Sequence, residues 1–298
     1  MNVRCRHLLK IFTYNLLKSS VNFSSFLNLI GCKNLENLPS DICELKYLYT
    51  LDCSHCKKLK IFPEIKEDME KLRILDLSVT SIQELPSSVE RLKGLQYLKL
   101  FLCDSLVSIA DSICNLTSLK TLDIRFCKKL KKLPENLERL LCLEKFYAVE
   151  IRCQLPSLSG LCSLKELFVS GSKLRQGAIR SDISRLSSLL ELDLSNCMLY
   201  DGEIPTEIYQ LSMLKVLELS FNFFSRLPAG FSQLSQLRVL GLSHCYILQE
   251  IPELPSSLRD IELHESACME TISTPPLLSW ERQLWRSFLN CFKSEVQV

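Results

Sequence analysis

The sequence predicts an α/β solenoid: a curved coil of about eleven repeats, with a parallel sheet on its concave face and short helices or 3-10 turns on its convex face. Three observations carry this. One leucine phrase, Leu48-x-x-Leu51-x-Cys53-x-x-Cys56, returns as Leu72-x-x-Leu75-x-Leu77-x-x-Thr80, as Leu119-x-x-Leu122-x-Ile124-x-x-Cys127 and as Leu237-x-x-Leu240-x-Leu242-x-x-Cys245. Its successive starts, Ser24, Leu48, Leu72, Leu95, Leu119, Leu143, Leu164, Leu189, Leu214, Leu237 and Leu258, lie 21 to 25 residues apart. A Leu-Pro, Phe-Pro or Ile-Pro pair stands in the other half of most repeats, from Leu38-Pro39 to Ile251-Pro252. A fixed period with this leucine spacing is the signature of a leucine-rich-repeat solenoid.

Taken in order, residues 1–23 fit no repeat and are expected to cap the first, otherwise apolar, coil. Residues 24–272 form the solenoid. Within each repeat, positions 3 to 7 are expected to be a strand, with positions 4 and 6 turned inward and 3, 5 and 7 outward. The ninth residue turns the chain away, and a thiol or small polar side chain there bonds backbone groups the turn leaves over. Proline then fixes φ and discourages a second strand.

The runs that follow, such as Ser87–Leu92 and Thr206–Leu211, read as short helices with Ser or Thr as N-caps. The repeat from Leu143 to Ser163 is short and lacks a ninth-position cysteine or asparagine. After Ser273-Thr274-Pro275-Pro276, residues 273–298 read as a post-repeat segment, the truncated start of a C-terminal domain. Leu277, Trp280, Leu284, Trp285, Phe288 and Phe292 fall there near helical spacing. A helix packed on the last coil is the expected outcome; a membrane-surface or partner helix is the rival.

The hydrophobic fraction of 47% supplies a large core, and the formal net charge of +2 gives no reason to expect nucleic acid or an anionic membrane as partner. No apolar stretch approaches the length of a membrane span. Lys18 and the serines near it break any apolar run after the basic start, which disfavours a signal peptide. Of the fifteen cysteines, Cys32, Cys56, Cys103, Cys127, Cys197 and Cys245 share the ninth position, so one repeated slot explains them better than pairing does. Neighbouring ninth positions stack roughly 5 Å apart, which leaves oxidation of Cys32 with Cys56 geometrically open. The odd count and sparse sequons favour reduced thiols.

Motifs for chemistry are missing. Cys53-Ser54-His55-Cys56 resembles half a zinc site, but Cys53 and Cys56 occupy inward positions and no second pair follows, so both read as core. His7, His55, His244 and His264 show no ligand spacing, and no phosphate loop, dinucleotide fingerprint or nucleophile elbow occurs. No catalytic residue, cofactor or metal is expected. Lys128-Lys129-Leu130-Lys131-Lys132 reads as a solvated charge run on the loop after the fifth strand.

The concave face is mostly acidic at position 5, in the common Leu-Asp-Leu-Ser form of the repeat, and this stripe is interrupted in the fourth to seventh repeats. There Tyr97, Lys99, Phe101, Leu102, Arg125, Phe126, Lys145, Tyr147 and Phe168 are expected to project outward, a composition suited to partner binding. The readings that stay open are an interface, a neutral surface, or side chains turned into the core by a register error near the short repeat.

Leu85-Pro86-Ser87-Ser88-Val89-Glu90-Arg91-Leu92-Lys93-Gly94-Leu95 and Leu240-Gly241-Leu242-Ser243-His244-Cys245 resemble repeats of plant intracellular disease-resistance proteins. The group they are most similar to is the Toll/interleukin-receptor (TIR) nucleotide-binding leucine-rich-repeat class, labelled tobacco-mosaic-virus resistance protein N-like. Ile251-Pro252-Glu253-Leu254-Pro255-Ser256-Ser257-Leu258 and Phe288–Ser294 resemble that group's passage into its post-repeat domain.

The resemblance implies a cytoplasmic, or nuclear, non-enzymatic recognition module. Its implied partners are a pathogen effector or guarded host protein and the nucleotide-binding domain of a full-length receptor. No TIR or phosphate-loop sequence is present, so the activities of those domains attach to no residue here. Two other classes compete. An extracellular leucine-rich-repeat receptor or inhibitor is suggested by Gly202-Glu203-Ile204-Pro205; a cytosolic signalling scaffold shares the Leu-Pro phrase.

Overall fold

The computed structural model describes residues 26–172 and 183–266, and the backbone of 271–272. The expected N-terminal cap, 1–23, and the tryptophan-bearing segment, 273–298, lie outside the described residues. The chain divides into two compact units, 1–161 and 162–298. The boundary falls inside the short repeat that begins at Leu143.

The first unit carries β1 (Phe26–Asn28), β2 (Thr50–Asp52), β3 (Ile74–Asp76), β4 (Tyr97–Lys99), β5 (Thr121–Asp123) and β6 (Lys145–Tyr147). Each pairs in parallel with the next, so that Leu27, Leu51, Leu75, Leu98, Leu122 and Phe146 stand in one row. All six are buried, and the inward sixth positions, Leu29 to Ala148, form a second buried row beside them. This is the leucine phrase made physical: identical apolar positions stack on one another, and each coil completes the core of its neighbour.

The second unit repeats the design with β7 (Glu166–Phe168), β8 (Glu191–Asp193), β9 (Val216–Glu218), β10 (Val239–Gly241) and β12 (Asp260–Glu262) in one parallel sheet. A separate pair, β11 (Glu250–Ile251) with β13 (Thr271–Ile272), is also parallel.

The strands cover positions 3 to 5, not 3 to 7. At position 7 the backbone N–H turns to a side chain of its own repeat: Ser54, Ser78 and Ser195 donate to Asp52, Asp76 and Asp193 at 2.9, 3.0 and 2.9 Å. The aspartates of the acidic stripe are thus turn-capping carboxylates. Position 8 then enters the left-handed region in every repeat, from Gly31 (φ 66°) through His55, Val79, Leu102, Phe126, Glu150, Gly171, Asn196, Phe221 and His244 to Glu265 (φ 55°). That conformation points its N–H back at the next coil. Val79 donates to Phe101 at 2.7 Å, Leu102 to Arg125 at 2.9 Å and Phe221 to Ser243 at 2.9 Å.

Residue 9 closes the turn. Cys56, Cys103 and Cys127 donate from Sγ to the carbonyls of Leu29, Leu77 and Leu100 at 3.0, 3.1 and 3.1 Å, each one repeat earlier. In the second unit Asn222 fills the slot more fully. Its amide donates to Leu194 and Leu219 and accepts from the N–H groups of Cys197 and Leu199. The short repeat puts Ile151 there, buried and apolar.

On the outer side the expected short helices are 3-10 turns of three to five residues, such as Ser40–Glu44 and Ser87–Arg91 in the first unit and Thr206–Gln210 in the second. The expected Ser and Thr caps are not found. Pro39, Pro86 and Pro205 hold the N-cap position in extended conformation without a side-chain cap bond. A proline carbonyl accepts the turn's first bond, Val89 N–H to Pro86 at 3.0 Å. Ser88 is used elsewhere: its hydroxyl accepts from Ile65 N–H at 2.9 Å and donates to Glu64, tying one repeat to the one before.

Candidate protein-binding face

In the first unit, Tyr97 and Lys99 lie on β4, and Lys145 and Tyr147 on β6, with β5 between them. Phe101 and Arg125 occupy position 7 of neighbouring repeats, just past β4 and β5. Leu102 and Phe126 follow them at position 8, in the left-handed turn (φ 54° and 61°), so they line the loop edge and not the strand face. None of the eight is buried; Lys99 is exposed and the others are half-buried. The register thus holds up to the short repeat, and these side chains lie outside the core. Phe168, the ninth predicted residue, is half-buried on β7 of the second unit, opposite Asp193.

Arg125 organises this face. Its Nε and Nη2 donate to the two carboxylate oxygens of Asp123 at 2.9 and 2.6 Å, which fixes the plane of the guanidinium. Its Cζ lies 5.2 Å from the Phe101 ring centre and 5.1 Å from that of Tyr147. Cation–π attraction of this kind contributes roughly 0.5–1 kcal/mol at an exposed site. Phe126 meets Phe101 edge to face at 5.6 Å and 84°. The hydrogen bonds to Asp123 also raise the Arg125 pKa, so its charge is permanent.

Lys99 reaches Asp76 at 3.5 Å. Three consecutive repeats therefore present a pre-ordered row of aromatic, guanidinium and aromatic groups. Such side chains lose little conformational freedom when a partner covers them.

The basic run Lys128, Lys129, Lys131 and Lys132 is exposed, and Lys128 pairs with Glu150 at 3.0 Å. Cys53 and Cys56 are fully buried, and burial pushes the Cys56 thiol up to about 11. Among the described residues no group of three or more His, Cys, Asp or Glu is placed to hold a metal ion, and no helix is long and apolar enough to cross a membrane.

The sequence reading missed an apolar edge in the second unit. Met198, Tyr200, Phe221, Phe223, Tyr246 and Ile247 are each between 41% and 51% exposed. The signal was available at position 10, where Met198, Phe223 and Tyr246 recur in three consecutive repeats.

Comparison with known proteins fits this geometry. The leucine-rich repeat region family matches residues 25–143, and the leucine rich repeat family matches 188–211 and 236–258. Disease resistance-like protein DSC1 of Arabidopsis thaliana is 32% identical over 279 residues, which is 90% of this chain. TMV resistance protein N of Nicotiana glutinosa is 35% identical over 80% of it. The chain belongs to the leucine-rich-repeat proteins of plant disease resistance.

It spans 17% of the length of the first of these relatives and 21% of the second. Among solved structures, the functional domain of InlJ from Listeria monocytogenes matches with TM-score 0.56 at 17% identity, over 79% of this chain and 58% of that one. The Leptospira interrogans leucine-rich-repeat protein LIC12759 matches with TM-score 0.53 at 22% identity, over 89% and 82%. At these identities the structures share the fold of these disease-resistance repeats and nothing finer.

Proposed function

We propose that the chain is the non-catalytic recognition module of a cytoplasmic plant immune receptor. In this reading the repeats sense a pathogen effector or a guarded host protein, and in its absence they hold the nucleotide-binding domain of the receptor inactive. The family supports an interaction module in plant immunity. The observation that supports a protein partner on this chain is the Phe101–Arg125–Tyr147 row, ordered by Asp123 and left open on the outward face. Aromatic and Arg side chains of this kind dominate the energetics of protein interfaces.

The test is a pull-down between this chain and a separately expressed nucleotide-binding module from a full-length receptor of the class. The wild-type chain is expected to retain the module, and a Tyr97→Ala, Phe101→Ala, Tyr147→Ala variant to lose at least tenfold in affinity with its thermal midpoint little changed. Absence of association with the wild type, or undiminished binding by a folded triple variant, overturns the reading.

A further inference from the structure

The apolar edge of the second unit is ordered. Tyr200 and Phe223 bridge in parallel, and their rings stack at 5.7 Å and 21°. Phe221 stacks on His244 at 4.2 Å and 19°, and the His244 Nδ1 lies 3.1 Å from the Tyr246 hydroxyl. Contiguous exposed apolar surface on a soluble fold marks an interaction site. Rows of rings already held against one another pay little entropy on docking.

What would dock is set by the strand face that adjoins this edge. In the second unit's main sheet every charged side chain at positions 3 and 5 is a carboxylate: Glu166, Glu191, Asp193, Glu218, Asp260 and Glu262. Glu218 lies between Asp193 and Gly241 in register, and Gly241 lies in turn beside Glu262. The Glu218 carboxylate folds over Gly241: a Cβ there would stand 1.7 Å from Oε2. Phe221 begins the apolar edge three residues further along the same backbone.

In the first unit two of the three position-5 aspartates are ion-paired, Asp76 with Lys99 and Asp123 with Arg125. Among the described residues no Lys or Arg ion-pairs with Asp193, Glu218 or Glu262. Among the described residues, Asp193, Glu218 and Glu262 thus lack the ion-paired cation that Asp76 and Asp123 have. Burial, together with Glu262 and Asp193, accordingly raises Glu218 to about 7.

We propose that the second unit docks a polypeptide segment in which Lys or Arg stands next to large apolar side chains. The cation sits over Asp193, Glu218 and Glu262, and the apolar residues cover Phe221, Phe223 and Tyr246. The proposal rests on the reading of the repeats as a recognition module, and gives that module a second surface with its own ligand chemistry. A lipid surface would meet the same aromatic edge, but the carboxylates repel anionic headgroups and leave a cationic side chain as the complementary group.

A random-peptide phage library selected on the full chain tests it. Selected sequences are expected to join Lys or Arg to Phe, Leu or Trp. A synthetic peptide of that sequence is expected to bind at least tenfold more weakly to a Phe223→Ser, Tyr246→Ser variant and to Glu218→Gln, and more weakly to the wild type as salt rises. Tyr200→Lys, which places a like charge at the edge on a side chain already about half exposed, provides a second variant should the double one unfold; it too is expected to lose binding.

Failure to select any peptide, selection without basic enrichment, retained binding in all of these variants, or binding to phosphatidylcholine vesicles in place of peptide overturns the proposal. Loss of peptide binding in the Tyr97→Ala, Phe101→Ala, Tyr147→Ala variant alone would move the site to the first unit. That result overturns this inference and leaves the recognition reading standing.

Discussion

Cys127 donates from its Sγ to the carbonyl of Leu100, 3.1 Å away and one repeat earlier in the chain. The same bond is made by Asn222 and Ser266 in their own slots, to Leu194 and Leu242, while Thr80 donates within its own repeat, to Leu77. The slot therefore needs a compact donor more than it needs sulfur. Cys127→Ala removes the donor and leaves a small void, and is expected to cost about 1–2 kcal/mol. Cys127→Ser, which restores a donor, is expected to cost less than Cys127→Ala. Chemical denaturation of both variants checks the order, and equal losses would mean that volume alone decides.

The same burial governs reactivity. Desolvation pushes Cys56 up to about 11, Cys197 to about 12 and Cys127 higher still, so these thiols stay protonated in neutral buffer. Cys142 and Cys162 are exposed. Alkylation of the folded chain with iodoacetamide near pH 8, followed by peptide mass mapping, is expected among the described cysteines to mark Cys142 and Cys162 first and the buried Cys56, Cys103, Cys127, Cys197 and Cys245 only after unfolding. Early labelling of Cys127 would show that its coil opens locally.

The leucines, the prolines and the ninth-position cysteines were legible because each position has one steric or bonding role, repeated until it stands out from noise. The left-handed eighth position was not. Gly31, Gly171 and Asn196 hint at it, but Val79, Phe126 and Phe221 oppose it by preference, and only the ladder bond to the next coil imposes it. The outward set around Tyr97 and Tyr147 followed from period-two alternation, whereas the seating of Arg125 between two rings depends on rotamers that no spacing encodes. The aromatic edge at Phe223 and Tyr246 was passed over because the repeat phrase ends at position 9, one residue short of it.

Val79 is the strained member of that eighth-position series, a β-branched residue at φ 58°. Left-handed backbone costs an L-residue with a Cβ roughly 1–2 kcal/mol, and β-branching makes it worse, while asparagine tolerates it. Val79 is only half-buried, so little apolar surface is given up by replacing it. Val79→Asn is expected to stabilise the chain by about 1 kcal/mol, measured as a higher denaturation midpoint. A lower midpoint would show that the valine methyls contribute more by burial than the backbone loses by strain.

Glu218 makes stability depend on pH in a definite direction. Burial first, then the neighbouring carboxylates Glu262 and Asp193, raise its pKa from 4.5 to about 7. The folded chain therefore holds this proton more tightly than the unfolded chain does. Below the unfolded value both states are protonated and the site carries no penalty. As pH rises from there through about 7, the unfolded state gains from ionising before the folded state does, and stability falls. Glu218→Gln has no proton to lose. It is expected to match the wild type near pH 4.5 and to denature at higher urea concentration near pH 8, with the gap opening between those values. A gap that stays constant across that range would mean that Glu218 ionises in the fold as freely as it does in water.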